Sequence, residues 1–309
     1  MSTSIENNPK EKVHIFCVDH RPEGWDNPAG LATIGVGKCR RPGILYDNEG
    51  ENISELNLHL NEATAIYWIW KHPEVRQSEY VGFCHYRRFL EFHPVRNRRA
   101  YAASGLWFKY LHVANEKALA KACIKPKDAE KLLKKRPIDG ILSVGWAWTI
   151  DLPLMSRMIR SKSATEKWIH RLVELLKING ENAYAQFAEE ALLNRADVAF
   201  CNTFLVKSEL FDRMCKALYP SLIRLTEEWL QDPSEKEIPR EPGYLSEYFT
   251  GMYWIWLEET GQAKFLRAQI LQLSDKGHGL WYADFKRFVY RFFPDWLINV
   301  LFIRGRKKW

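Results

Sequence analysis

No stretch of about 18 consecutive apolar residues occurs in this 309-residue chain, so a membrane-spanning helix is not expected. The first dozen residues are polar and lack the apolar core of an export segment, which points to the cytoplasm; residues 1–11 are expected to be disordered. The six cysteines (Cys17, Cys39, Cys84, Cys123, Cys201, Cys215) are scattered, with no C-x-x-C pair, and several lie in apolar runs where a free thiol acts as a small hydrophobe. A G-x-x-x-x-G-K-[ST] phosphate loop, a G-x-G-x-x-G fingerprint, a G-x-S-x-G elbow and an H-E-x-x-H metal motif are all missing. The nine histidines show no metal-ligand spacing. Internal repeats, low-complexity tracts and Pro/Ser-rich linkers are lacking too, so one large domain is the economical reading.

What is present is aromatic and basic. Thirteen Trp, 13 Tyr and 16 Phe make up 14% of the chain, a supply of flat faces for a bulky core or for sugar rings. The net charge is +7, which fits an anionic partner. Much of it is local: between Trp281 and Trp309, seven cations stand against Asp284 and Asp295 and alternate with ten aromatics. That composition suits the headgroup layer of an anionic membrane, or a docked terminal helix with a basic tail. A groove-wide nucleic-acid footprint is not indicated for the rest.

Strand and helix patterns alternate along the chain. Val13–Val18 reads as a buried strand ending in Asp19-His20-Arg21, and Leu31–Val36 as a second short run. Ser54 is placed as the N-cap of one helix running to about Lys71. Leu56, Leu60, Ala63, Tyr67 and Trp70 would form its packing face, with Asn57, Asn61, Thr64 and Trp68 as a second stripe able to border a site. Tyr80–Cys84 is a near-continuous apolar run, as in a strand covered on both faces, and it stops at His85-Tyr86-Arg87-Arg88. Residues 93–118 look like an insertion or loop. Further on come a helix near 127–135, a strand at 138–144, helices near 163–178 and 182–193, and a strand at 198–201 leading to Asn202. A helix from Ser208 is expected to break near Pro220, and another ends near Thr260 with Gly261 as its C-cap. The expected fold is α/β: a mixed, mainly parallel, Rossmann-type sheet flanked by helices over 12–265, with an amphipathic extension over 266–309.

In such a sheet ligands bind beyond the carboxyl ends of strands. That selects Asp19 and His20, the segment from His85 to Arg88, and Asn202. Two arginines after a buried strand offer planar forks that grip phosphate oxygens; pairing with surface carboxylates is the alternative.

The run Asn52-Ile53-Ser54, Asn57, Glu62 to Lys71, and Tyr80 to Phe89 with its H-Y-R-R block resembles a bacterial family associated with capsular polysaccharide and O-antigen synthesis. That family is regarded as glycosyltransferases of the GT-A type. Asn202 to Lys207, and Arg240 with Gly243 to Glu247, are similar to its later blocks. Two steps depart from its pattern, Asn61-Glu62-Ala63-Thr64 and Asn202-Thr203-Phe204-Leu205-Val206. The resemblance implies transfer of a hexose from a UDP-sugar, galactofuranose being its best suggestion, in surface-polysaccharide assembly; residues 281–309 add the expectation of a polysaccharide or lipid-linked saccharide acceptor at the inner face of the cytoplasmic membrane. Donor-binding residues would then be Asp19, His20, Asn52, His85, Tyr86, Arg87, Arg88, Asn202 and Arg240. The Asp-x-Asp metal motif common in GT-A enzymes is replaced here by His85-Tyr86-Arg87. His85, Arg87 and Arg88 are therefore expected to share in neutralising the diphosphate, with His85 the one candidate ligand should a divalent Mn or Mg ion be used. Glu247, in the first turn of a helix, is the expected base, or else simply complements the helix start; Asp139 and Asp151 are the runners-up. Two other classes remain open: a basic nucleic-acid-binding protein, and a non-catalytic nucleotide-sugar-binding scaffold.

Overall fold

A computed structural model describes residues 12–22, 31–94, 108–112, 121–144, 152–232 and 238–274. The expectations for residues 1–11, Asp151 and 281–309 lie outside these residues. No helix among the described residues is long and apolar enough to cross a membrane.

Among the described residues, nine strands form one sheet. β1 (Val13–Asp19) pairs in parallel with β2 (Ala32–Gly35) on one side and β4 (Tyr80–His85) on the other, and the short β3 (Leu45–Tyr46) extends the parallel edge. Beyond β4 the pattern changes. β5 (Arg88–Pro94) runs antiparallel to β9 (Phe265–Ser274), β9 lies parallel to β7 (Gly140–Ser143), and β7 is antiparallel to β8 (Phe204–Lys207). β8 then returns to pair antiparallel with β4 from Tyr80 to Phe83. Strands β4, β5, β9, β7 and β8 thus close into a five-stranded ring, and β6 (Phe108–His112) adds outside it on β9.

This closed ring overturns the expected mainly parallel, Rossmann-type GT-A sheet. The cause lies at His85-Tyr86-Arg87-Arg88, which is a two-residue hairpin turn and not the loop after a parallel strand. Neither Tyr86 nor Arg87 takes a positive φ, so the turn is not of the primed kind that matches strand twist. The two strands accordingly splay after the single pair His85↔Arg88. β4 is left free to meet β8 while β5 meets β9, and the sheet curls shut. β9, which begins at Phe265, lies inside the ring between β5 and β7, so residues 266–274 of the expected extension are sheet.

Both faces are covered, as the uninterrupted apolar run at 80–84 requires. Tyr80 and Cys84 of β4, with Ile15 and Cys17 of β1, point to one core with Phe89, Leu205 and Leu271. Val81, Phe83, Phe16 and Val18 point to the other, under the helices. There α5 (Glu166–Ile178), α6 (Asn182–Asn194), α7 (Ser208–Gln231) and α8 (Glu241–Glu259) pack together, following α1 (Asn57–Leu60), α2 (Ala63–Lys71), α3 (Pro126–Leu133) and α4 (Leu154–Arg160) in the chain. The expected break at Pro220 does not occur: α7 continues through it. Buried Cys215, Leu218, Leu222 and Leu225 hold the helix on both sides of the lost hydrogen bond. Gly251 lets α8 run against the chain before β8, where a Cβ would meet the Ala199 carbonyl oxygen.

Candidate functional site

Three local events build the site. The first is the hairpin. Val18 pairs with His85 and His85 with Arg88, so these three side chains share one face at the end of the strands. The second is a break in the expected helix over 54–71. Ser54–Leu56 is a 3-10 turn, α1 ends at Leu60, and Asn61 turns the chain at φ 52° before α2 begins. Asn57 Nδ2 donates to the Asn61 carbonyl oxygen at 2.8 Å and to Thr64 Oγ1 at 3.0 Å, and Thr64 Oγ1 donates to Asp47 Oδ2 at 2.6 Å. The turn brings Glu62 out of the helix face. The third is the start of α8. Buried Glu241 accepts from Thr165 Oγ1 at 2.9 Å and from Trp229 Nε1 at 3.2 Å, which anchors this helix end to α5 and α7.

Between these elements lies a cleft of about 680 Å³. His20, Lys38, His85, Arg87, Arg88 and Arg240 bring positive or titratable nitrogen to it, Glu62 and Glu247 bring carboxyls, and Asn57, Asn61, Leu58 and Tyr244 complete its wall. Lys38, Arg87 and Arg240 are exposed and have no carboxylate partner among the described residues. Tyr86 is buried beneath Arg87. Its ring lies 4.1 Å from the Arg21 guanidinium and 4.9 Å from that of Arg87, with the His20 ring edge-on at 5.1 Å. Arg88 Nε donates to Gln272 Oε1 at 2.9 Å.

The electrostatics divide the site in two. Burial, reinforced by Arg88, His20 and Arg87, pushes the His85 pKa down to about 3, so its imidazole is neutral at physiological pH. His85 therefore contributes a hydrogen-bonding ring and not the positive charge expected of it; its Nδ1 is buried without a partner. Glu62 and Glu247 are hydrogen-bonded to each other beside Arg88. Burial and then the Glu62 charge push Glu247 well above the usual carboxyl range, and burial raises Glu62 as well. Two carboxyls in contact cannot both ionise, so the pair holds a proton.

Residues 14–260 match a family model described as "Domain of unknown function (DUF4422)". The chain belongs to the DUF4422 family. Among the curated proteins nothing matches. Among solved structures, the fold is similar to that of the apo bifunctional glycosyltransferase WbbM, with a TM-score of 0.71 and 22% identity over 85% of this chain. The likeness is one of fold, and the chain spans 45% of that protein.

Within this DUF4422 chain the residues expected at the site separate cleanly. His20, His85, Arg87, Arg88, Arg240 and Glu247 line the cleft. Asp19 does not: it is buried and accepts from Arg21 Nη2 at 2.7 Å and Arg41 Nη2 at 2.9 Å. Burial raises its pKa, but the bonds from Arg21 and the nearby Arg41 outweigh this and hold it low. Asn52 shapes the local turn, its Oδ1 accepting from the Ser54 amide at 3.1 Å and Ser54 Oγ at 2.9 Å. Asn202 sits behind the wall, donating from Nδ2 to Glu62 Oε1 at 3.4 Å. Asp139 is tied to Lys207 at 2.9 Å and to the Lys264 amide at 2.8 Å, away from the cleft. Glu62, Lys38 and Tyr244 also line the cleft, beyond the residues the sequence selects. Glu62 sits in the family-like block, but only the helix break turns it toward the cleft. Among the described residues no group of three His, Cys, Asp or Glu side chains is placed to hold a metal ion. Among the described residues the histidine beside His85 is His20, with rings 6.0 Å apart.

Proposed function

We propose that the cleft of this DUF4422 protein binds a nucleotide sugar by its diphosphate and transfers the sugar to an acceptor hydroxyl. One observation carries the reading: three cations without a carboxylate partner among the described residues, Lys38, Arg87 and Arg240, converge on the same cleft as a buried carboxyl pair. Its volume suits a ligand of nucleotide-sugar size. Arginine forks grip phosphate oxygens in pairs, and fixed cations meet the negative charge that develops on a departing diphosphate. The acceptor oxygen bonds to the anomeric carbon, the carbon–oxygen bond to the diphosphate breaks, and the diphosphate leaves with the electron pair. The acceptor's proton passes to the carboxyl pair. Neutral His85 offers a hydrogen bond to a sugar or phosphate oxygen, and the Tyr244 ring offers a face for a sugar. The fold likeness to WbbM, a glycosyltransferase by its description, supports the class of reaction.

A UDP-sugar is the donor we favour, with UDP-galactofuranose the first to try, on the strength of the H-Y-R-R resemblance. A lipid-linked or polysaccharide acceptor at an anionic membrane surface would suit the aromatic and basic residues 281–309. Liposome flotation with and without that segment tests the membrane part.

The decisive experiment is a thermal-shift screen of nucleoside diphosphates and their sugars, followed by a transfer assay with those that bind. A raised melting temperature with uridine diphosphate and its sugars, but not with free sugars, is expected. No shift with any nucleoside diphosphate would overturn the reading.

A further inference from the structure

Glu247 also lines a second, smaller cavity of about 10 Å³, left between the start of β8 and the middle of α8. That is about the room one water molecule needs. Asn202, Glu247 and Trp254 all line it, and all are more than nine-tenths buried, at 6%, 7% and 1% exposure. Each carries one buried polar atom with no hydrogen-bond partner: Asn202 Oδ1, Glu247 Oε2 and Trp254 Nε1. Buried polar groups are nearly always paired, so three unpaired atoms on residues that line one cavity need an explanation.

Their chemistry is complementary to a single water. Trp254 Nε1 can only donate, and Asn202 Oδ1 can only accept. The Asn202 amide is fixed in that sense because its Nδ2 already donates to Glu62 Oε1 at 3.4 Å. A water accepting from Trp254 has two hydrogens left, for Asn202 Oδ1 and Glu247 Oε2. Gly251 belongs to the same wall; a Cβ there would collide with the Ala199 carbonyl oxygen, so its lack of a side chain is what lets α8 approach so closely.

We propose that this cavity is a binding site for one water molecule, which fixes Glu247 as the proton-bearing member of the carboxyl pair and leaves Glu62 as the carboxylate presented to the cleft. With Oε2 accepting from the water, the proton of Glu247 lies on Oε1, directed at Glu62. The groups facing the pair favour charge on Glu62 more uniformly than on Glu247. On Glu247 the Glu62 charge opposes ionisation while Arg88 and the Cys201 backbone N–H favour it; on Glu62 its own backbone N–H, Arg88, Asn202 and the Glu247 hydrogen bond all support charge. Burial raises both carboxyls, and the Glu62 charge raises Glu247 as well. Glu62, partly exposed where Glu247 is buried, then takes the acceptor's proton, and Glu247 is its positioning residue. This catalytic consequence rests on the sugar-transfer reading; the water site does not.

The test uses the full-length chain without ligand. In nitrogen-15 resolved spectra, the Trp254 indole N–H, identified by its loss in Trp254→Phe, is expected to show a cross-peak to water of dipolar and not exchange sign. No such peak overturns the water site. In infrared spectra at neutral pH, a protonated-carboxyl carbonyl band is expected that disappears in Glu247→Gln and moves to higher frequency in Trp254→Phe, where the water loses its donor. A band that survives Glu247→Gln overturns the proton assignment. Turnover separates the two claims. Glu62→Gln is expected to bind uridine diphosphate normally and to lose sugar transfer by about 10²–10⁴-fold. Normal transfer by Glu62→Gln, with the water peak and the carboxyl band both present, overturns the role of Glu62 as base and leaves the water site standing.

Discussion

Gly243 lies directly against Asn61: a Cβ on Gly243 would come within 2.4 Å of Asn61 Nδ2 and 2.7 Å of the His59 carbonyl oxygen. This contact seats the first turn of α8 on the α1–α2 junction. Arg240 and Tyr244 flank that turn, Glu247 stands in the next one, and Glu62 follows Asn61, so one glycine sets the distance between the two halves of the cleft. Gly243→Ala should push the turn away, because a backbone carbonyl yields less readily than a side chain. A loss of about 1–3 kcal/mol is expected, the usual cost of overpacking, read from urea unfolding. Weaker binding of uridine diphosphate should accompany it.

Arg87 and Arg240 have no carboxylate partner among the described residues, so removing either should leave the fold intact. Each alanine variant should weaken nucleoside diphosphate binding about tenfold or more, as charge-assisted bonds of about 1.5–3 kcal/mol are lost. Raising the salt concentration should narrow the difference from wild type. Arg87→Lys should recover only part of the affinity, since an ammonium group cannot hold two oxygens in a planar fork. Calorimetric titration with uridine diphosphate reads all three effects.

Stability should depend on pH from two sides. His85 falls from 6.5 to about 3 on folding, so its contribution is complete above about pH 6.5 and is lost as the pH falls toward 3. Glu247 is raised from 4.5, so its contribution is complete below about pH 4.5 and is lost as the pH rises through its folded value. His85→Phe should flatten the acid arm of the stability curve and Glu247→Gln the alkaline arm. Urea midpoints measured across the pH range check both.

Sugar transfer should persist when divalent ions are chelated, because Lys38, Arg87, Arg88 and Arg240 supply the positive charge at the cleft. Assays in excess EDTA, with and without added manganese or magnesium, test this. Activity lost on chelation and restored by manganese would show that a metal shares the work.

Much of the chain's local structure was legible in its sequence. The apolar run at 80–84 announced a strand covered on both faces, and the helices at 166–178, 182–194 and 241–259 follow their apolar spacing and the Gly261 stop. The cluster at His85 to Arg88 was visible as chemistry because two adjacent arginines after a buried strand are costly to place without a partner.

Tertiary structure alone decided three things. The sheet closes because the Tyr86-Arg87 turn splays its strands and β4 can then pair with β8, a long-range choice that no local pattern encodes. The helix over 54–71 breaks at Asn61 because side-chain bonds from Asn57 and Thr64, anchored on distant Asp47, favour the turn over another helical step. Glu62 and Glu247 meet across nearly two hundred residues, and their shared proton follows from burial and contact, which composition and spacing do not reveal. The sequence by itself determined which charges are available; packing decided which of them face the cleft, which are neutral, and which pair.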